Sequence, residues 1–150
     1  MVEEKGLTRY VWPIIVILAL VLIGMALIWM SMSTDIVDYL WEMSGSSVTV
    51  ESLDEEAAAT LSFIWSGLCM NGVWFGIFGL FCAWGVKRKE SFAWKLGVLW
   101  GVLLIAYGII IAVNELFVLG WSTVCLSVPL NLIVGVIALG SLFAVRKEFS

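Results

Sequence analysis

Four polar residues near the ends of two long apolar runs are the main candidates for chemistry in this chain: Asn114, Glu115, Ser127 and Asn131. If the two runs form neighbouring helices, these side chains converge at one end of the pair. An ionisable residue within an apolar helix is a functional hypothesis by default, because its charge is costly away from water. Glu115 could handle a cation or a proton, or make a structural hydrogen bond. Its place at a helix end favours a third interpretation, a solvated carboxylate.

The sequence lacks the residue patterns of an enzyme or a metal site. It contains no histidine, which removes a histidine general base and the usual histidine-containing zinc and haem sites. The cysteines, Cys69, Cys82 and Cys125, are too far apart for a CxxC motif. Three buried free thiols are favoured over a Cys69–Cys125 disulfide. No protease, nucleotide-binding or hydrolase motif is present. We therefore predict no catalytic residue, no metal and no cofactor.

Glycines recur at helical spacing in three of the apolar runs. Those expected at helix contacts are Gly72, Gly76, Gly97, Gly101, Gly108 and Gly135. Membrane helices associate where small residues let their backbones approach, so close packing is the favoured interpretation. The alternative is that the glycines line a narrow passage or a lipid groove. The first run has Gly24 and a few alanines, so we expect it to face lipid while the other three pack tightly.

The elements that position these residues are four long uncharged runs. Roughly 20 helical residues cross a hydrocarbon core of about 30 Å, and the runs predict transmembrane segments at about 10–32, 57–86, 94–114 and 122–145. The apolar content of 62% and the mean hydropathy of +1.06 exceed those of soluble domains. The first segment lacks a cleavage site and is interpreted as an uncleaved anchor. We predict one all-α domain over residues 1–150, a compact four-helix transmembrane bundle.

The last run is the least clear of the four. Its helix either starts near Ser122 and kinks at Pro129, or starts close to Pro129 after a hydrophobic outer connection. The earlier start is favoured, because a helix from Pro129 would cover only about 26 Å.

The outer loop, residues 33–56, is the one sizeable region outside the apolar runs. Ile36, Leu40 and Met43 have helical spacing, which predicts a short helix lying on the membrane interface. A capping box beginning at Ser52 predicts that the second transmembrane helix starts at about Leu53.

Tryptophan is abundant, with nine residues. Most lie near the predicted interfaces, as an aromatic belt requires. Trp74 and Trp100 lie deeper, as packing residues or in the wall of a pocket for an apolar ligand; packing is favoured.

All basic residues fall on one side of the predicted four-segment topology. They are Lys5, Arg9, Lys87, Arg88, Lys89, Lys95, Arg146 and Lys147. By the positive-inside rule, both termini are then cytoplasmic and the protein lies in the cell membrane. Eight basic residues against four acidic ones give this face a positive charge, and the other eight acidic residues lie on the outer face. Basic residues this few, at the ends of membrane segments, do not indicate nucleic-acid binding.

These features favour a non-enzymatic integral membrane protein: an accessory, assembly or self-associating subunit of a membrane complex. Its expected partners are membrane lipids and either copies of itself or other membrane subunits. The alternative is a small oligomeric transporter or channel subunit for a cation, proton or small solute, with Glu115 and the asparagines on its path. A membrane enzyme acting on a lipid or quinone is least supported, because no acid–base pair is visible.

Overall fold

The computed structural model of the chain is all-helical over the residues that it describes. These are 6–43, 45, 47–119 and 127–149, with the side chains of all but residues 33, 43, 114–119, 127 and 128. The helices are α1 Thr8–Ser31, α2 Ser33–Met43, α3 Glu55–Lys87, α4 Ser91–Leu119 and α5 Ser127–Ala144. Two short 3-10 turns, Val50–Ser52 and Arg146–Glu148, complete the described elements. The predicted all-α class is confirmed.

Three of the described helices are long and apolar enough to cross a membrane: Thr8–Ser31, Glu55–Lys87 and Ser91–Val113. They correspond to the first three predicted segments. The apolar part of α5, Pro129–Ala144, is shorter, so its crossing stays a prediction.

The helix that contains the third predicted segment is longer than that segment. α4 begins at Ser91 rather than at residue 94 and continues to Leu119 rather than ending at 114. The predicted end followed the apolar run, which stops at the charge of Glu115. A charge ends an apolar run but does not break a helix, because glutamate is a good helix former.

The start predicted for the fourth segment, at 122, lies outside the described residues. In the structure Pro129 is the third residue of α5.

The outer loop contains the predicted short helix, α2, and a cap that differs from the predicted one. Asp54 is the N-cap of α3, and its carboxylate accepts a hydrogen bond from the Ala57 amide at 2.8 Å. Ser52 instead closes the preceding 3-10 turn, where its hydroxyl donates to the Thr49 carbonyl at 2.6 Å. Asp54 is a more favourable N-cap than Ser52, because its charged carboxylate also interacts with the positive end of the helix dipole.

The helices pack in two close pairs, α1 with α3 and α4 with α5, and α3–α4 and α1–α5 contacts join the pairs. The largest side chains buried between them are Trp100, Ile15, Leu104 and Leu142.

The expectation that the first helix would stand outside the tight packing is wrong. A Cβ atom added at Gly72 would lie 2.8 Å from the Cβ of Ala26, and one at Gly76 would lie 2.7 Å from the carbonyl oxygen of Ala19. Ala19 and Ala26 are two turns apart on one face of α1, and both are buried. The two alanines thus form a surface of small residues on α1, and the glycines of α3 pack against it.

One end of the bundle gathers the three segments that the sequence places on one side. The Thr8 amide donates to the Glu148 carboxylate at 3.3 Å, and the Thr8 hydroxyl also donates to it. The ammonium of Lys89, in the α3–α4 turn, lies 3.8 Å from the same carboxylate. The start of α1, this turn and the C-terminal 3-10 turn therefore meet at a shared end.

Candidate functional site

The predicted polar cluster falls mostly outside the described side chains. Asn114 and Glu115 lie within α4 and Ser127 is the first residue of α5, but their side chains are not among those described. Asn131 is described and half-buried, and it lines a cavity. The convergence of the four residues, and with it the transport alternative, stays a prediction.

That cavity has a volume of about 270 Å³ and lies between α1, α3, α4 and α5. Leu40 of α2 also lines it. Its walls are mostly aliphatic and aromatic, and they include Leu22 and Trp29 of α1 and Trp65 of α3. The short outer helix predicted from the sequence therefore contributes to this internal space.

The polar groups among the described residues of the cavity wall are neutral. Tyr107 of α4 and Asn131 of α5 both line it, and no charged residue is among the described residues that do so. The Asn71 side chain of α3 lies beside the phenol of Tyr107. The Phe75 ring packs against the Tyr107 ring with 5.4 Å between centroids. Tyr107 is thus held from α3 by one polar and one aromatic contact.

The cavity opens sideways between α3 and α4. Leu68 of α3 and Ile110 of α4 both line it, yet they are 52% and 57% exposed. Near their shared turn, α3 and α4 are close, because Trp100 packs on Gly79. Beyond the Phe75–Tyr107 contact, the exposure of Leu68 and Ile110 indicates that α3 and α4 leave a gap between them.

The glycines predicted at helix contacts lie at helix contacts. Gly97, Gly101 and Gly108 of α4 face α5, where Leu142, Leu139 and Leu132 respectively occupy the space beside them. Gly135 of α5 faces back: an added Cβ would lie 2.9 Å from the Gly101 carbonyl oxygen. Leucine side chains fill this row, so these glycines line no passage. Gly72 differs, because it contacts α1 and also lines the cavity.

Three tryptophans make hydrogen bonds between helices that the sequence analysis missed. The indole N–H of Trp65 donates to the Trp29 carbonyl at 3.2 Å, and that of Trp100 to the Phe75 carbonyl at 2.8 Å. Trp94 donates to the Leu142 carbonyl at 2.8 Å. These bonds join α3 to α1, α4 to α3 and α4 to α5. The abundance of tryptophan was the available signal, but it was assigned to membrane interfaces.

The remaining candidates for chemistry have packing roles where the structure describes them. Trp100 is fully buried in the core and does not line the cavity, whereas Trp74 is 62% exposed. Cys69 and Cys82 are buried free thiols, and Cys125 lies outside the described residues. Within the described ranges, no three histidine, cysteine or acidic side chains are grouped as a metal site.

The chain matches no protein-family model, no curated protein sequence and no solved structure. Its class is therefore defined by fold and composition: an all-helical bundle in which three described helices can cross a membrane by length and apolarity.

Proposed function

We propose that this protein is a four-span integral protein of the cell membrane, with both termini cytoplasmic, that acts as a non-enzymatic subunit of a membrane complex. It associates through α3 with other membrane helices, either those of its own copies or those of another subunit. The observation that supports this proposal is a regular row of side chains on the surface of α3 that points away from the bundle.

The row repeats every seven residues, with alternating steps of four and three. Its members are Phe63, Gly67, Met70, Trp74, Ile77, Phe81 and Trp84. All are exposed except Ile77, which is partly exposed. Such a heptad row keeps one face toward a partner helix along its whole length, and left-handed packing of this kind is common between membrane helices. A Cβ at Gly67 would have no neighbour within 4 Å, so the row contains an open gap.

The composition of the row favours a protein partner over lipid. The exposed face of α1 is aliphatic through its middle, with Ile17, Leu20 and Val21, as contact with lipid chains requires. By contrast, Trp74 lies near the middle of α3, and the described part of the chain supplies no acceptor to its indole N–H. A donor without an acceptor is costly in hydrocarbon. An acceptor on a partner helix would remove that cost.

The test is photo-crosslinking in native membranes, with a photoreactive amino acid at Trp74 or Phe81. The matched control is the same amino acid at Leu20, which is similarly exposed on α1. We expect protein adducts from the α3 positions above the control, identified by mass spectrometry as a second copy or another subunit. Adducts no more abundant than at Leu20 would refute association through α3. When Gly67→Ile is combined with the photoreactive amino acid at Trp74 or Phe81, it should reduce the adducts, because isoleucine fills the gap in the row.

The proposed orientation is tested by labelling single introduced cysteines with an impermeant thiol reagent in intact cells, in a background without the native cysteines. A cysteine at Ser46 should react, whereas one at Ser91 or Ser150 should not. Ser91 and Ser150 lie on either side of α4 and α5, so their equal protection requires that both helices cross or that neither does. Because α4 is long and apolar enough to span a membrane, equal protection favours two crossings. Labelling at both Ser46 and Ser150, but not at Ser91, would show that α5 does not cross, and the reverse of the whole pattern would contradict the orientation.

A further inference from the structure

Three properties of the cavity described above together indicate the kind of ligand that it can bind. The described part of its wall is mostly apolar, it has an opening beside Leu68 and Ile110, and the polar side chains of the described part are neutral. Its volume of about 270 Å³ is just below the range of about 300–1,000 Å³ that holds drug-sized ligands. A single substituted ring fits such a space, whereas a whole lipid does not, so any long tail must leave through the opening.

The opening leads toward lipid if α3 and α4 cross the membrane as proposed. Its rim residues, Leu68 and Ile110, are apolar and exposed. A ligand therefore enters from within the hydrocarbon, and its tail stays there between α3 and α4.

The depth of Tyr107 in the membrane indicates which kind of ligand headgroup can reach it. Tyr107 lies eight residues before Glu115, the charged residue that ends the apolar run of α4, which is about 12 Å of helix. Phospholipid ester carbonyls are held at the membrane surface by a hydrated headgroup. An uncharged ring has no such anchor and can reach hydrogen-bonding groups at this depth.

The wall chemistry indicates a hydrogen-bond acceptor on that ring. The phenol of Tyr107 offers a donor, and no cation is among the described wall residues to pair with a carboxylate. Trp29 and Trp65 offer aromatic faces for stacking at the same cavity. From this geometry we propose that the cavity binds the carbonyl-bearing ring of a membrane quinone, with its isoprenoid tail leaving between α3 and α4. The proposal rests on the membrane position of α3 and α4 but not on association through the α3 row.

The experiment uses the full-length protein in phosphatidylcholine nanodiscs and a benzoquinone with a decyl tail and a photoreactive azide on its ring. We expect saturable labelling of the peptides that contain Leu68 and Tyr107, displaced by the unlabelled decyl benzoquinone. Diacylglycerol and a fatty acid are the competing ligands, with neutral ester carbonyls and a carboxylate respectively. They should displace the label poorly. Labelling that does not saturate, or displacement by either lipid as effective as by the quinone, would overturn the proposal.

Two variants at the mouth of the cavity make a matched pair. Ile110→Trp places a large ring at the opening and should abolish saturable labelling. Ile109→Trp makes the same change at a neighbouring residue that is 51% exposed and does not line the cavity, and it should label normally. Tyr107→Phe should weaken binding by about 2- to 10-fold, the effect of one neutral hydrogen bond. Equal labelling of the Ile110→Trp and Ile109→Trp proteins would refute the site.

Discussion

Gly76→Ala tests the closest approach of α1 and α3. The added methyl group would lie 2.7 Å from the carbonyl oxygen of Ala19, about 0.7 Å short of an ordinary contact of 3.4 Å. The obstacle is backbone, which no rotamer change can move. The side chain of Ile23 is also in the way. To accept the methyl group, α1 must shift away from α3.

The magnitude follows from comparison with Gly67→Ala in the same helix. Alanine stabilises a helix relative to glycine by about 1 kcal/mol, and this gain is common to both variants. Gly67 has open space around it, so it adds no packing cost. Overpacking of a close contact costs about 1–3 kcal/mol. We therefore expect the Gly76→Ala protein to be about 1–3 kcal/mol less stable than the Gly67→Ala protein.

The assay is reversible unfolding in mixed micelles of a mild detergent and dodecyl sulfate, followed by circular dichroism. The free energy of unfolding is compared between the two variants at one micelle composition. Gly24→Ala on α1 is a second control, because its position is also open. A Gly76→Ala protein as stable as the Gly67→Ala protein would show that the α1–α3 contact is not close, and the packing argument would fail.

Trp100→Phe should lower the free energy of unfolding by about 1–3 kcal/mol, because the Phe75 carbonyl loses the donor that it has in addition to its helical one and a space opens in the core. Trp74→Phe, at an exposed site, should change the stability of the isolated protein little in the same assay. Hydrogen bonds from Thr8 hold the pKa of the Glu148 carboxyl below its usual value. The native protein should therefore be more stable than Glu148→Gln at neutral pH, and this advantage should disappear as pH falls through the lowered pKa; a pH-independent difference would contradict it. Glu115→Gln should leave folding and partner association unchanged, and an ion flux in vesicles that is carried by the native protein and lost in this variant would favour a transporter.

The helices themselves could be predicted from hydropathy and length. Their ends were less predictable where an apolar run and a helix stop at different residues, as at Glu115 in α4. Apolarity reports the cost of a charge in lipid, whereas helix formation depends on backbone hydrogen bonds that a glutamate does not interrupt.

The partner of each helix was harder to predict than its glycine face. Gly72 and Gly76 were identified as contact residues, but Ala19 and Ala26 were not recognised as the opposite surface. A small-residue pattern locates a contact on one helix without stating which neighbour fills it. The cavity could not be predicted for the same reason, because it arises where α3 and α4 leave a gap between them.

The contact between Thr8 and Glu148 joins residues 140 positions apart in the chain, and this imposes an order on biosynthesis. At about 5 to 20 residues per second, the ribosome needs about 7 to 28 s after making Thr8 to reach its partner. The α1–α3 pair is complete in sequence well before then, whereas the first turn of α1 must wait for the last turn of the chain. A chain truncated before Glu148 would therefore keep its paired helices and lose the contact that joins its two ends.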